Sequence, residues 1–165
     1  MRVKIYQENG ALNSTSVFAA FSAGLKKLGH SIVDKDEDVC VIWSVLWQGR
    51  MRPNKVIYEN SIKNHRPIII IEVGNLKRGV TWRIGLNHIN NFGIFGNQQE
   101  LDLTRPQILG VSLQPVNQRR RQEILIACQH TASLQWCNQP SMEQWVNQTI
   151  IEIKKYSDRK IVVRP

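Results

Sequence analysis

The chain has 165 residues, 42% of them hydrophobic and 21% charged, a composition that supports a packed core and excludes a disordered or fibrous protein. No apolar run exceeds five residues, far short of a bilayer span, and the charges threaded through Met1-Arg2-Val3-Lys4-Ile5-Tyr6 do not read as a signal peptide. Twenty-two basic residues against thirteen acidic ones leave a net charge of +9, which suits polyanionic partners such as nucleic acid or sugar nucleotides and equally suits a solvated basic surface.

Residues 3–6 read as a first strand, followed by a loop at Glu8-Asn9-Gly10. Val17, Phe21, Leu25 and Leu28 then lie on one helical face. Asn13, Ser14 and Ser16 are candidate N-caps, and Gly29 stands where a left-handed residue ends a helix. Residues 31–33 form a short second strand. A polar connection, Asp34-Lys35-Asp36-Glu37-Asp38, leads to Val39-Cys40-Val41-Ile42-Trp43, apolar on both faces and so a buried strand. Pro53 and Asn54 open a helix that runs to about Asn64, before Pro67. Ile68-Ile69-Ile70-Ile71 is the next buried strand. This βαβαβαβ alternation predicts an α/β protein: a Rossmann-like parallel sheet with helices on both faces, over residues 1–110.

Residues 81–87 suggest another strand and residues 90–97 a loop. Residues 98–118 contain Pro106, Gly110 and Pro115 without a clear period and read as a linker with short strands. Arg119-Arg120-Arg121 follows it, so that residues 111–122 form a basic linker between the two domains. A C-terminal βαβ unit then occupies residues 123–165. Its strand is 123–128, its loop 129–140, and its helix opens on the S-x-x-Q spacing of Ser141 and Gln144, a capping box. Met142, Trp145, Val146, Thr149, Ile150 and Ile153 share the helical face, and Ile161-Val162-Val163 is the closing strand.

Ligands of parallel α/β sheets bind beyond the carboxyl ends of the strands, so the loops after each strand hold the candidates. After the first, residues 7–14 are neither GxGxxG nor a Walker loop. After the third, Arg50 and Arg52 beside Trp47 suit phosphate recognition and base or sugar stacking. The alternative is a rim-packed tryptophan with solvated arginines. After the fourth come Glu72, Gly74, Lys77, Arg78, Gly79, Trp82 and Arg83. Glu72 is placed for a general base or for holding sugar hydroxyls, or it pairs with Arg78 or Arg50. Gly74 and Gly79 permit bending or close approach to a ligand. Asn87 and Asn90 both donate and accept, as sugar and base edges require, while His88 reads as a packed or surface histidine.

Gln129, His130, Thr131 and Ser133, before the last helix, are candidates for a diphosphate, or simply a long polar loop. Arg119 to Arg121, Lys154, Lys155, Arg159, Lys160 and Arg164 make the C-terminal third basic enough to track a phosphate backbone. Nothing marks a nucleophilic triad. Cys40, Cys128 and Cys137 form no CxxC, and no metal-ligand spacing is present, so the expectation is no metal, no disulfide framework, no permanently bound cofactor and a reducing cytoplasm.

Four segments together carry a resemblance: Val41-Ile42-Trp43-Ser44-Val45-Leu46-Trp47-Gln48-Gly49-Arg50-Met51, Ile71-Glu72-Val73-Gly74-Asn75-Leu76-Lys77-Arg78-Gly79, Ile124-Leu125-Ile126-Ala127-Cys128-Gln129, and Arg159-Lys160-Ile161-Val162-Val163-Arg164-Pro165. The chain resembles the front part of phage and bacterial glycosyltransferase-like proteins of GT-B layout, with capsule-polysaccharide-type relatives. The resemblance implies two Rossmann-like domains face to face, the acceptor bound mainly by the first and a nucleotide-sugar co-substrate mainly by the second. Carried over by position, Arg50, Glu72 and Arg78 face the cleft from the first domain, and Gln129 and Arg164 belong to the start of the second. In such relatives the last strand runs into Arg-Pro-His-Pro. This sequence stops at Arg164-Pro165, so most of a donor site is expected to be missing. The alternative from another class is a non-catalytic basic nucleic-acid-binding or phage accessory protein.

Overall fold

The structure is a computed structural model and describes residues 1–90, 92–96, 104–112, 123–131, 134–136 and 138–165. The chain forms two compact units, Met1–Ser112 and Leu113–Pro165.

In the first unit β1 (Arg2–Ile5), α1 (Thr15–Lys27), β2 (Ser31–Ile32), β3 (Val39–Trp43), α2 (Asn54–Lys63), β4 (Ile68–Val73), β5 (Trp82–Leu86) and the short α3 (Arg105–Ile108) follow one another. The strands make one sheet in the order β2-β1-β3-β4-β5. β1 is parallel to β2 and β3, and β3 is parallel to β4. The chain therefore winds outward in one direction from β1 and in the other from β3. Right-handed crossovers running in opposite directions put α1 and α2 on opposite faces. The result is a mixed α/β sheet, mostly parallel and Rossmann-like. β3 is apolar at every position and buried at every position, as a strand covered on both sides must be.

The core follows from strand alternation. Val3, Val39, Val41, Trp43 and Ile71 point to one face and pack with Phe18 and Leu25 of α1. The Phe18 and Trp43 rings meet edge to face, 5.7 Å apart. Cys40, Ile42, Ile68 and Ile70 alternate with these residues and are also buried. α1 ends as its sequence predicts. Gly29 adopts φ 77°, its N–H donates to Lys26 O at 3.0 Å, and His30 N–H donates to Leu25 O at 3.0 Å, which closes a Schellman motif.

Two expectations need correction. No helix joins β2 to β3. Instead β2 is a two-residue edge, and the connection passes the start of β1, where Asp38 accepts from the Arg2 backbone N–H (2.7 Å) and guanidinium (3.1 Å). Those bonds hold the Asp38 carboxyl below its ordinary range. Second, β5 runs antiparallel to β4. The connection, residues 74–81, is too short for the helical crossover that a parallel neighbour requires, so the chain can only turn back as a hairpin.

In the second unit β6 (Glu123–Ala127), α4 (Met142–Lys154) and β7 (Lys160–Arg164) form a βαβ unit with parallel strands. Its two strands pair with each other and, among the described residues, with no strand of the first sheet. The capping box is present: Gln144 N–H donates to Ser141 Oγ, and Ser141 N–H donates to Gln144 Oε1, each at 3.2 Å. The expected linker over residues 98–118 is described only at 104–112, and Arg119 to Arg121 lie outside the described residues.

Candidate functional site at the carboxyl end of the parallel strands

Strand order reverses between β1 and β3, and a crevice outside their carboxyl ends is the usual ligand position in such sheets. A 3₁₀ turn at Gln7–Asn9 follows β1, and another at Gly49–Met51 precedes α2. Asn54, the first residue of α2, ties them together from a fully buried position. Its Nδ2 donates to Trp43 O (2.7 Å) and to Asn9 O (3.3 Å). Its Oδ1 is buried and has no hydrogen-bond partner among the described residues.

One step beyond the β3–β4 ladder, Ser44 stands beside Glu72. Ser44 Oγ donates to Glu72 Oε2 at 2.5 Å and accepts from Leu46 N–H at 3.1 Å. The other carboxylate oxygen, Oε1, accepts from Val73 N–H at 2.9 Å. Ser44 is buried and holds φ 61°, a left-handed conformation that costs a non-glycine residue on the order of 1 kcal/mol or more and is enriched at functional sites. Across the β4–β5 ladder, Glu72 is directly opposite Arg83. Ser44, Glu72 and Arg83 thus form one row across three strands.

This row bears on the ion-pair alternative for Glu72. It forms no ion pair with Arg50 or Arg78 among the described residues. A serine hydroxyl and a backbone amide position it instead. Ser44 is a residue that sequence reasoning passed over, and Arg83 was named only as one of the basic residues after the fourth strand. The only signal for either was its place at a strand end, and the pairing that joins them comes from the hairpin.

The other sequence candidates separate into groups. Arg50, Arg52, Lys77 and Arg78 are exposed on the loops at this same end, and none has an ionic partner among the described residues. Trp47 is half-buried, its ring 5.7 Å from Tyr58 of α2, so it packs against the helix. Gly74 makes its close approach to the chain itself: a Cβ there would lie 2.6 Å from Thr81 O, which already accepts the Gly74 N–H at 2.9 Å. Trp82 belongs to the core, 5.5 Å from Trp43. It also lines an apolar cavity of about 400 Å³ with Phe21, Ile69, Ile84 and Leu86.

Asn87 and Asn90 lie at the wrong end to join Glu72. Asn87 exchanges hydrogen bonds with Ile68, the first residue of β4 (Asn87 N–H to Ile68 O 2.7 Å, Ile68 N–H to Asn87 Oδ1 3.2 Å), roughly 16 Å along the strand from its tip at about 3.3 Å per residue. Asn90 Oδ1 accepts from Phe92 N–H at 3.0 Å. Both side chains therefore shape the turn after β5. His88 belongs to that turn. Its Nδ1 accepts from Ile89 N–H (3.1 Å) and Asn90 N–H (3.3 Å), and burial lowers its pKa. Tyr6, just past β1, is no base at neutral pH: burial first, then Cys40 and Glu37, push it up to about 12.

Gln129, His130 and Arg164 belong to the second unit. They share the carboxyl end of the β6–β7 pair, where Cys128 N–H donates to Arg164 O at 2.9 Å. Among the described residues no cluster of three or more His, Cys, Asp or Glu could hold a metal ion, and no helix is long and apolar enough to cross a membrane.

No protein-family model, curated protein or solved structure matches the chain.

Proposed function

We propose that this chain is a glycosyltransferase-like protein of GT-B type, with its first unit on the acceptor side. The observation that carries the reading is Glu72, a carboxylate held by Ser44 and the Val73 amide at the carboxyl end of β4, on a rim that also carries the exposed cations Arg50, Arg52, Lys77 and Arg78. In the reaction, Glu72 takes the proton of an acceptor hydroxyl. The acceptor oxygen bonds to the anomeric carbon of the sugar, and the bond from that carbon to the diphosphate oxygen breaks. The nucleoside diphosphate leaves with the electron pair, and Arg50 and Arg78 balance its charge. A polysaccharide hydroxyl or a hydroxylated phage DNA base fits as acceptor, and a cytoplasmic location fits both.

Calorimetric titration of the chain with UDP-glucose, followed by turnover with Glu72→Gln, tests the reading. Binding by the wild type with loss of turnover in the variant supports it. Full turnover in Glu72→Gln removes the residue from the mechanism, and absence of nucleotide-sugar binding removes the assignment.

The exposed cations and the net charge of +9 also support a second reading, a non-catalytic nucleic-acid-binding or accessory protein. Its binding to a short DNA duplex would weaken steeply with salt, the logarithm of affinity falling by about 0.9 per neutralised phosphate for each logarithmic unit of salt. Salt-insensitive or absent binding to both DNA and RNA counts against it.

A further inference from the structure

We infer that Arg83 is the residue that receives the ligand's phosphate beside Glu72. The inference rests on the phosphate-ligand reading above and names the group within it.

The argument begins with register. Arg83 and Glu72 are directly opposed in the antiparallel β4–β5 ladder, and opposed side chains stand on the same face with Cβ atoms about 5 Å apart. An arginine so close to a carboxylate ordinarily pairs with it. Here it does not: Glu72 is satisfied by Ser44 and Val73 N–H, and no Arg83–Glu72 ion pair forms. The guanidinium carbon instead lies 4.9 Å from the centroid of the Phe95 ring. A ring face attracts the charge and uses none of the five N–H donors. Among the described residues those donors have no hydrogen-bond partner.

The result is a planar fork with all its donors available, braced by an aromatic ring and one strand from a positioned carboxylate. That geometry matches the paired oxygens of a phosphate. Arg50, Arg52, Lys77 and Arg78 sit on exposed loops at the same end and have no comparable brace among the described residues. Arg83 is on a strand, so its backbone position is fixed before the ligand arrives. A ligand carrying a hydroxyl next to a phosphate would meet Glu72 and Arg83 as neighbours.

The test is calorimetry of the full chain with UDP, comparing wild type, Arg83→Gln, Arg83→Lys and Lys63→Gln, with circular dichroism to confirm that each variant is folded. Arg83→Gln is expected to weaken UDP binding at least tenfold, Arg83→Lys to restore part of it, and Lys63→Gln, exposed at the far end of α2, to change it less than threefold. Phe95→Leu, which removes the brace and leaves the charge, should fall between wild type and Arg83→Gln. UDP bound equally well by wild type and folded Arg83→Gln overturns this assignment and leaves the parent reading standing. No UDP binding by the wild type overturns the parent reading and this assignment with it.

Discussion

Asn54 allows a prediction in which the sign depends on the chemistry of one atom. Its amide nitrogen donates to Trp43 O and Asn9 O, while its amide oxygen has no partner among the described residues. Replacing it with Ala leaves two carbonyls without their donor. The 2.7 Å bond to Trp43 O is the stronger, and stranding that acceptor costs about 1–3 kcal/mol; the 3.3 Å bond to Asn9 O adds less. The vacated volume adds about 1 kcal/mol. Removing the unpartnered oxygen returns about 1 kcal/mol of its desolvation penalty. The net for Asn54→Ala is a loss of about 2 kcal/mol. Asn54→Asp is nearly the same size but turns the donor into a second acceptor facing two carbonyls in a fully buried site, so it should lose several kcal/mol more. Urea unfolding followed by tryptophan fluorescence measures both. Asn54→Asp as stable as Asn54→Ala would refute the donor assignment and the stapling of the two turns that rests on it.

Three further outcomes follow from local geometry. His65 occupies the position after the end of α2 with φ 53°, and Arg66 N–H donates to Ser61 O at 2.8 Å to close the turn; His65→Gly should therefore raise stability by about 0.5–1 kcal/mol in the same assay. Gly74→Ala should lower it by about 1–3 kcal/mol, because the new methyl meets the Thr81 carbonyl as well as its hydroxyl, and the backbone cannot yield; a thermal melt unchanged from wild type would contradict the hairpin closure. For His88 the pKa is lowered by burial, so the unfolded chain takes up its proton first as pH falls. The histidine's contribution is present above about pH 6.5 and is lost as pH falls through its lower folded value. The urea midpoint should drop between pH 7.5 and 5.5, and His88→Gln should drop less over that window.

Much of the fold was legible from side-chain period alone. The runs 39–43 and 68–71 are apolar at every position, which only a strand covered on both faces accommodates, and they became β3 and β4. Gly29 and the Ser141/Gln144 pair marked helix ends because their chemistry acts within one turn of chain. The direction of β5 was not legible, since a strand has the same alternation whichever way it runs. Only the shortness of the 74–81 connection, and the Gly74–Thr81 contact that closes it, set it antiparallel.

The site divides in the same way. The sequence by itself placed a carboxylate and several cations on loops after strands, because strand ends are set by local pattern. It could not say which side chains meet. Ser44 and Glu72 are 28 positions apart yet share a 2.5 Å hydrogen bond, and Arg83 stands opposite Glu72 only because β5 turns back. Asn87 and Asn90 follow Glu72 closely in sequence, but the same reversal carries them to the other end of the sheet. Local pattern determined what each segment is; the pairing of segments, a long-range balance of burial and hydrogen bonding, decided which residues became neighbours.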